Sequence, residues 1–221
     1  GAETLRLWVA ASDYSDDLRI RPEIIKQLTD SYRRLRNTLR YLLGNLDSFI
    51  DAEKVDTADM PELERWVLHR LWGIDREVRA GYGTYDFHGL FRTLHDFCAN
   101  DLSAFYFDIR KDCLYCDPAD SLVRRAARTV LDELFSCLTA WLAPILCFTA
   151  EEAWMFRNPD GGDSVHLRQF PEVQESWRDD VLAEKWRKVA NVRRVVLGAL
   201  EIERVEKRIG SSLQAAPHVY L

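Results

Sequence analysis

A chain of 221 residues, 47% hydrophobic and 30% charged, is long enough for one large core or two small ones and too apolar to stay disordered. No apolar run approaches the roughly 18 residues of a membrane span, and no charged segment followed by an apolar one opens the chain; the expectation is a reducing, cytoplasmic setting, with the five cysteines as thiols. A net charge of −6 gives no warrant for polyanion binding as a whole, so such a role must rest on local patches, since screening limits attraction to about 8–10 Å.

The first 21 residues are mixed: Leu5, Leu7 and Val9 alternate with polar residues, while neighbouring alanines also admit a helix. Pro22 and Glu23 open a strong helix, since proline is preset for a first turn and a carboxylate favours the positive helix end. Leu28, Tyr32, Leu35, Leu39 and Leu42 form its buried stripe, and Gly44-Asn45 is a left-handed stop. Arg33, Arg36 and Arg40 repeat the same steps one residue later, about 100° around the helix. Asp47 to Met60 reads as an acidic loop.

Pro61 starts a second helix, with Leu63, Val67, Leu71, Ile74 and Val78 inward, Trp66 beside them and a break at Gly81-Tyr82-Gly83. A third runs from Tyr85 to Phe107, burying Phe87, Leu90, Phe91, Leu94, Cys98, Leu102 and Phe105, before a turn over Lys111 to Asp120. The fourth, Ser121 to about Trp141, is the most apolar and should sit centrally; Pro144 ends it. Thr149-Ala150-Glu151-Glu152 is a capping box for a short helix. Asn158 to Asp163 is loop and Ser164 to Leu167 a short strand. The last helix, Asp179 to Arg208, places Leu182, Trp186, Val189, Val192, Val196 and Ala199 in its seam and stops at Gly210-Ser211-Ser212. The fold class is therefore all-α, a bundle of five to six helices.

No phosphate-binding glycine loop, dinucleotide fingerprint, zinc-protease helix or nucleophile elbow is present, so no catalytic residue is assigned. The carboxylate pairs Asp16-Asp17, Glu151-Glu152 and Asp179-Asp180 fit helix starts. His95-x-x-Cys98 and Cys113-x-x-Cys116 have formal zinc spacing, but His95 and Cys98 fall inside an amphipathic helix, where core packing explains them better, and no metal site is assigned. The basic segments carry more weight. Arg33, Arg34, Arg36 and Arg40 crowd one helix, and the last helix adds Lys185, Arg187, Lys188, Arg193, Arg194, Arg204, Lys207 and Arg208. Arginine forks suit phosphates, Asn37 suits a base edge, and Tyr41 or Trp186 offers a stacking ring. The bland alternative is a solvated arginine face neutralised by the acidic loop at Asp47 to Asp59.

Several runs carry a resemblance as a set. Gly1 to Trp8 leads into Ser12 to Arg19; Tyr32 to Asn45 reads YRRLRNTLRYLLGN, and Tyr85 to His88 follows. Then come Leu102 to Tyr115 (LSAFYFDIRKDCLY), Leu142 to Trp154, Ser164 to Leu167 and Ile209 to Ala215. In this order and spacing they resemble the region after the catalytic core of bacterial-type isoleucyl-tRNA synthetases. The resemblance implies a connector from the core at 1–21, a helical anticodon-binding bundle at 22–208, and the start of a C-terminal extension at 209–221. It implies RNA contact by Arg33, Arg34, Arg36, Asn37 and Arg40, with Arg193 and Arg194 in support. Ser12, Asp13 and Tyr14 would fix the joint with the core.

By the same resemblance the parent enzyme attaches isoleucine to its tRNA, using ATP with magnesium, and carries zinc in its C-terminal extension. The ATP-binding signatures and the editing insertion would lie upstream of Gly1, so this stretch alone should have no catalytic activity and no cofactor. Its partners would be the isoleucine tRNA and the catalytic core of the same chain, with no membrane. The family usually has arginine where Cys113 stands, which makes the Cys-x-x-Cys pattern accidental. Two alternatives stay open: the same module of a valyl- or leucyl-tRNA synthetase, against which the Ile209 to Ala215 ending counts, and a helical protein-interaction module without RNA.

Overall fold

The computed structural model describes residues 1–14, 20–159 and 163–220. The Ser15 to Arg19 part of one family-like run, the Asp16-Asp17 pair and the middle of the Asn158 to Asp163 loop lie outside the described residues. The helices are α1 (Ala2–Ala11), α2 (Pro22–Asn45), α3 (Glu62–Thr84), α4 (87–116), α5 (Leu122–Leu142), α6 (Cys147–Arg157) and α7 (Asp180–Val205). No strand occurs among the described residues. Two compact units result, Gly1–Arg178 and Asp179–Leu221. The count exceeds the expected five to six because the ambiguous opening segment is helical.

In the first unit α5 is central. Its Ala126, Ala127, Val130, Leu131, Leu134, Leu138 and Trp141 are buried against α2, α3, α4 and α6. The wide apolar stripe read from sequence thus sits where it was expected. The helix ends at Leu142, just before Pro144, and the two carbonyls that follow are taken by α1: Arg6 donates to Pro144 O at 2.8 Å and Ile145 O at 2.9 Å. Glu3 completes this corner by accepting from Phe148 N at 3.1 Å. Beyond α1, Ser12 Oγ bonds back to Trp8 O at 2.7 Å and Tyr14 Oη donates to Tyr85 O.

α2 keeps its expected span, but Gly44 is no left-handed stop. Leu46 N closes the helix on Leu42 O and Leu43 O with φ −95, and positive φ first occurs at Ser48. α3 likewise runs through Gly81-Tyr82-Gly83 and ends at Tyr85, whose φ is 60. Gly81 serves packing, since a Cβ there would lie 3.2 Å from Leu90 Cβ of α4. Gly73 meets nothing within 4 Å. Gly73→Ala should therefore raise stability by about 0.5–1 kcal/mol in urea denaturation, through the lost backbone freedom of the unfolded chain. Gly81→Ala should yield no such gain.

α4 corrects two expectations. It starts at Phe87 under a side-chain cap from Asp86, widens into π-type winding over Phe97–Phe107, and continues as α-helix through Asp108–Cys116. The turn expected from Lys111 is thus helical as far as Cys116. The reason is buried: Glu64 of α3, fully enclosed, accepts from Arg110 Nε at 2.6 Å and Nη2 at 2.7 Å, and from Tyr106 Oη at 3.2 Å. The acidic loop contains two 3₁₀ turns, Asp51–Glu53 and Thr57–Asp59, anchored by buried Phe49, Val55 and Met60.

α6 lacks the capping box read from its sequence. Thr149 lies inside the helix, its hydroxyl 2.9 Å from Tyr32 Oη. Glu151 accepts instead from Ser164 Oγ at 3.0 Å and Val165 N at 2.8 Å, which folds the expected strand into a 3₁₀ turn, Val165–Leu167. In the second unit α7 ends at Val205, before Gly210, with Lys207 in the left-handed region. Of the expected seam only Leu182 is buried, together with Leu200; Val189 is exposed.

Candidate nucleic-acid interface

The apolar stripe of α2 buries Leu28, Leu35, Leu39 and Leu42, with Thr38 beside them. That burial turns Arg33, Arg34, Arg36, Asn37 and Arg40 outward, and all five are exposed. Arg33 pairs locally with Asp30 at 3.0 Å. Arg36 forks onto Glu152 of α6 at 2.7 and 3.1 Å. These bonds hold the Glu152 carboxyl below its usual range and raise the Arg36 guanidinium. Arg34 and Arg40 have no ion-pair partner among the described residues.

Among the described residues no ion pair joins the acidic loop to the arginines of α2, contrary to the bland reading of the sequence, although Asp47 of that loop lines a groove with Arg36 and Arg40. The loop's partners come from α5 and from itself. Arg128 donates to Asn45 O at 3.0 Å, Asp47 O at 2.6 Å and Glu53 Oε2 at 2.7 Å. Arg125 reaches Glu53 O at 3.1 Å, and Lys54 bridges Asp51 at 3.0 Å and Asp132 at 3.2 Å. Among the described residues, Arg34 and Arg40 are therefore left to solvent or to a ligand.

Two grooves flank α2. One, of about 580 Å³, lies against α6 and is lined by Arg36, Leu39, Arg40, Leu43, Glu152 and Phe156. The other, of about 390 Å³, lies against the end of α4 and is lined by Asn37, Arg40, Tyr41, Asn45 and Tyr115. Arg40 borders both. Two rings stand open at these rims, Phe156 at 74% and Tyr115 at 67% exposure. Unpaired bases stack on such rings.

Tyr41 does not serve as expected. Its ring stacks on Phe107 at 4.1 Å and burial pushes its hydroxyl pKa up, so it supports the core. Tyr115 was missed because it was placed in a turn; the signal was its spacing on a helix that runs on past Phe107. Phe156 carried no local signal beyond being apolar on a short helix. Arg193 and Arg194 belong to α7 in the second unit, Arg194 exposed with a 3.4 Å contact to Asn191 Oδ1. Trp186 of the same helix is half-buried.

The cysteine–histidine pattern is spread along one helix. Cys98 is fully buried, its thiol pushed up to about 12, and Cys116 is exposed near the helix end. No group of three or more metal-ligating side chains converges among the described residues. No helix there is long and apolar enough to cross a membrane.

An all-helical domain with an arginine-rich helix face rimmed by open aromatic rings is a helical bundle carrying a candidate nucleic-acid surface. More narrowly, the chain belongs to the family described as the anticodon-binding domain of tRNA ligase, which matches residues 64–219. It is 55% identical over its whole length to an isoleucine–tRNA ligase of Agrobacterium fabrum, and 57% identical to those of Brucella abortus and Ruegeria pomeroyi. The chain spans 22–23% of the length of these relatives. A LeuRS from Agrobacterium radiobacter K84, solved in ternary complex with tRNA and LeuAMS, shares the fold. It aligns with a TM-score of 0.54 at 15% identity, covering 80% of this chain and 20% of that one.

Proposed function

We propose that this domain grips the anticodon arm of an isoleucine tRNA for a parent enzyme that attaches isoleucine to that tRNA with ATP and magnesium in the cytoplasm. The observation that carries the reading is the exposed arginine face of α2, whose Arg34 and Arg40 have no ion-pair partner among the described residues while Arg128 takes Glu53 of the neighbouring acidic loop. Arg33, Arg34 and Arg40 position the phosphates, and Asn37 meets a base edge or sugar at the rim it shares with Tyr115. Arg193 and Arg194 add phosphate contacts from the second unit. Activation, transfer and editing belong to the remainder of the parent chain, including its catalytic core; zinc belongs to its C-terminal extension. Relatives at 53–57% identity, all isoleucine–tRNA ligases, support this assignment over a valine or leucine enzyme.

Titration of the domain with labelled isoleucine tRNA and an anticodon-substituted version, at two salt concentrations, tests the reading. The expected result is preference for the cognate anticodon, with affinity falling steeply as salt rises. Salt-independent binding, or none to either tRNA, would overturn it in favour of an interaction module without RNA.

A further inference from the structure

The two grooves beside α2 differ in charge. The one against α6 is lined by Arg36 and Arg40 but also by two carboxylates, Glu152 and Asp47, so its charges cancel. The one against α4 is lined by Arg40, Asn37, Tyr41, Asn45 and Tyr115, with no carboxylate among them. Of the exposed acids near the end of α4, Asp108 pairs with Lys111 at 3.0 Å, and neither it nor Asp112 lines this groove. At about 100° per residue, Arg34 falls on the same side of α2 as Asn37, Tyr41 and Asn45, whereas Arg36 and Leu43 fall on the side of α6. The attraction for a phosphate strand is therefore one-sided.

The acid on the α6 side is fixed in place. Glu152 accepts both bonds of the Arg36 fork, at 2.7 and 3.1 Å, and those bonds keep its carboxyl ionised. Its side chain is 64% exposed, so an incoming phosphate meets it in the open, and the paired guanidinium has little charge left to offer. We infer that Glu152, with Asp47, is a specificity-determining residue that closes the α2–α6 groove to phosphate and confines the bound RNA strand to the α2–α4 groove. There Arg34 and Arg40 take phosphates and Tyr115 takes an unpaired base. Without the Glu152 charge, Arg36 would be a free guanidinium above Leu39 and Leu43, a second phosphate site open to any RNA. Repelling that wrong mode sharpens recognition as much as attraction in the right one. This role rests on the RNA reading proposed above.

The test titrates variants of the 221-residue chain with the isoleucine tRNA and with an unstructured oligouridylate, each at two salt concentrations. Glu152→Gln keeps the size of the side chain and removes its charge. It should bind oligouridylate about threefold or more tightly, with the slope of log affinity against log salt steeper by about 1. The tRNA should gain less, since an added unselective mode shows most where the selective one is weak. Adding Arg36→Ala to Glu152→Gln should abolish the gain, which a mere tie between α6 and α2 does not predict. Asn37→Asp, nearly isosteric, sets a carboxylate in the α2–α4 groove and should weaken tRNA binding by about tenfold or more. All three positions are exposed, so the unfolding midpoint should hardly move. If Glu152→Gln leaves oligouridylate binding unchanged or weakens tRNA binding, Glu152 is a tie or an RNA contact and the inference falls. If Asn37→Asp binds tRNA as well as the unaltered chain, the strand does not lie against α4 and the inference falls as well. Either failure leaves the RNA reading intact, whereas binding of neither RNA by the unaltered chain overturns both.

Discussion

Arg110→Ala is expected to destabilise the helical unit by about 3–5 kcal/mol, the cost of leaving a buried carboxylate without its counter-charge. Glu64 has no exposed surface, and Arg110 supplies two of the three hydrogen bonds it accepts from side chains. In the variant, Glu64 must either ionise in a low-dielectric site with only Tyr106 Oη as donor or take up a proton. Urea denaturation followed by helix signal measures the loss. The double variant Glu64→Leu with Arg110→Met separates the pair's worth from the penalty of stranding one partner. It removes both charges and orphans only the Tyr106 hydroxyl, so it should recover most of the loss and keep a deficit of about 1 kcal/mol. A double variant as unstable as Arg110→Ala would show that the pair holds α4 by more than charge. Because Arg110 lies five residues before Tyr115 on one helix, Arg110→Ala should also loosen the rim of the second groove.

The largest functional effect is expected from removing Arg34 and Arg40, the two α2 arginines without an ion-pair partner among the described residues. With Arg34→Ala and Arg40→Ala together, affinity for tRNA should fall tenfold or more at moderate salt. The slope of log affinity against log salt should shrink by about 2, one for each lost phosphate contact. Preference for the cognate anticodon should survive, since phosphate contacts position without reading sequence. The unfolding midpoint should hardly move, because both side chains are exposed and bear on no buried group. Arg33→Ala is the internal control: its guanidinium already bonds Asp30, so its removal should cost less. An unchanged salt slope in the double variant would place the phosphate contacts elsewhere.

Both predictions trace to residues whose meaning the sequence disclosed unequally. The span of α2 and its outward arginines were legible because they follow from neighbours: a proline start, an apolar step of three and four, and charges one position on. What local pattern could not show was partnership across the chain. Glu64 and Arg110 are 46 residues apart, and Arg110 therefore falls between a helix expected to end at Phe107 and a turn expected from Lys111. Arg36 reads as free until α6 folds back and brings Glu152 from 116 residues away. Thr149 has the right neighbours for a cap, yet Tyr32 of α2 takes its hydroxyl. Gly44 has the composition of a helix end without its geometry, because Leu46 closes the helix on two carbonyls without a left-handed turn. The groove between α2 and α6 was the least legible part, since its two walls come from helices separated by three others.

The corner built by Arg6 and Glu3 has a mechanical meaning. These two α1 residues hold two carbonyls after α5 and one first-turn amide of α6, Phe148 N, through three hydrogen bonds. α6 in turn carries Glu152 and Phe156. A load applied to α1 thus reaches the start of α6, and with it the wall of the groove, through these three bonds rather than through the chain between.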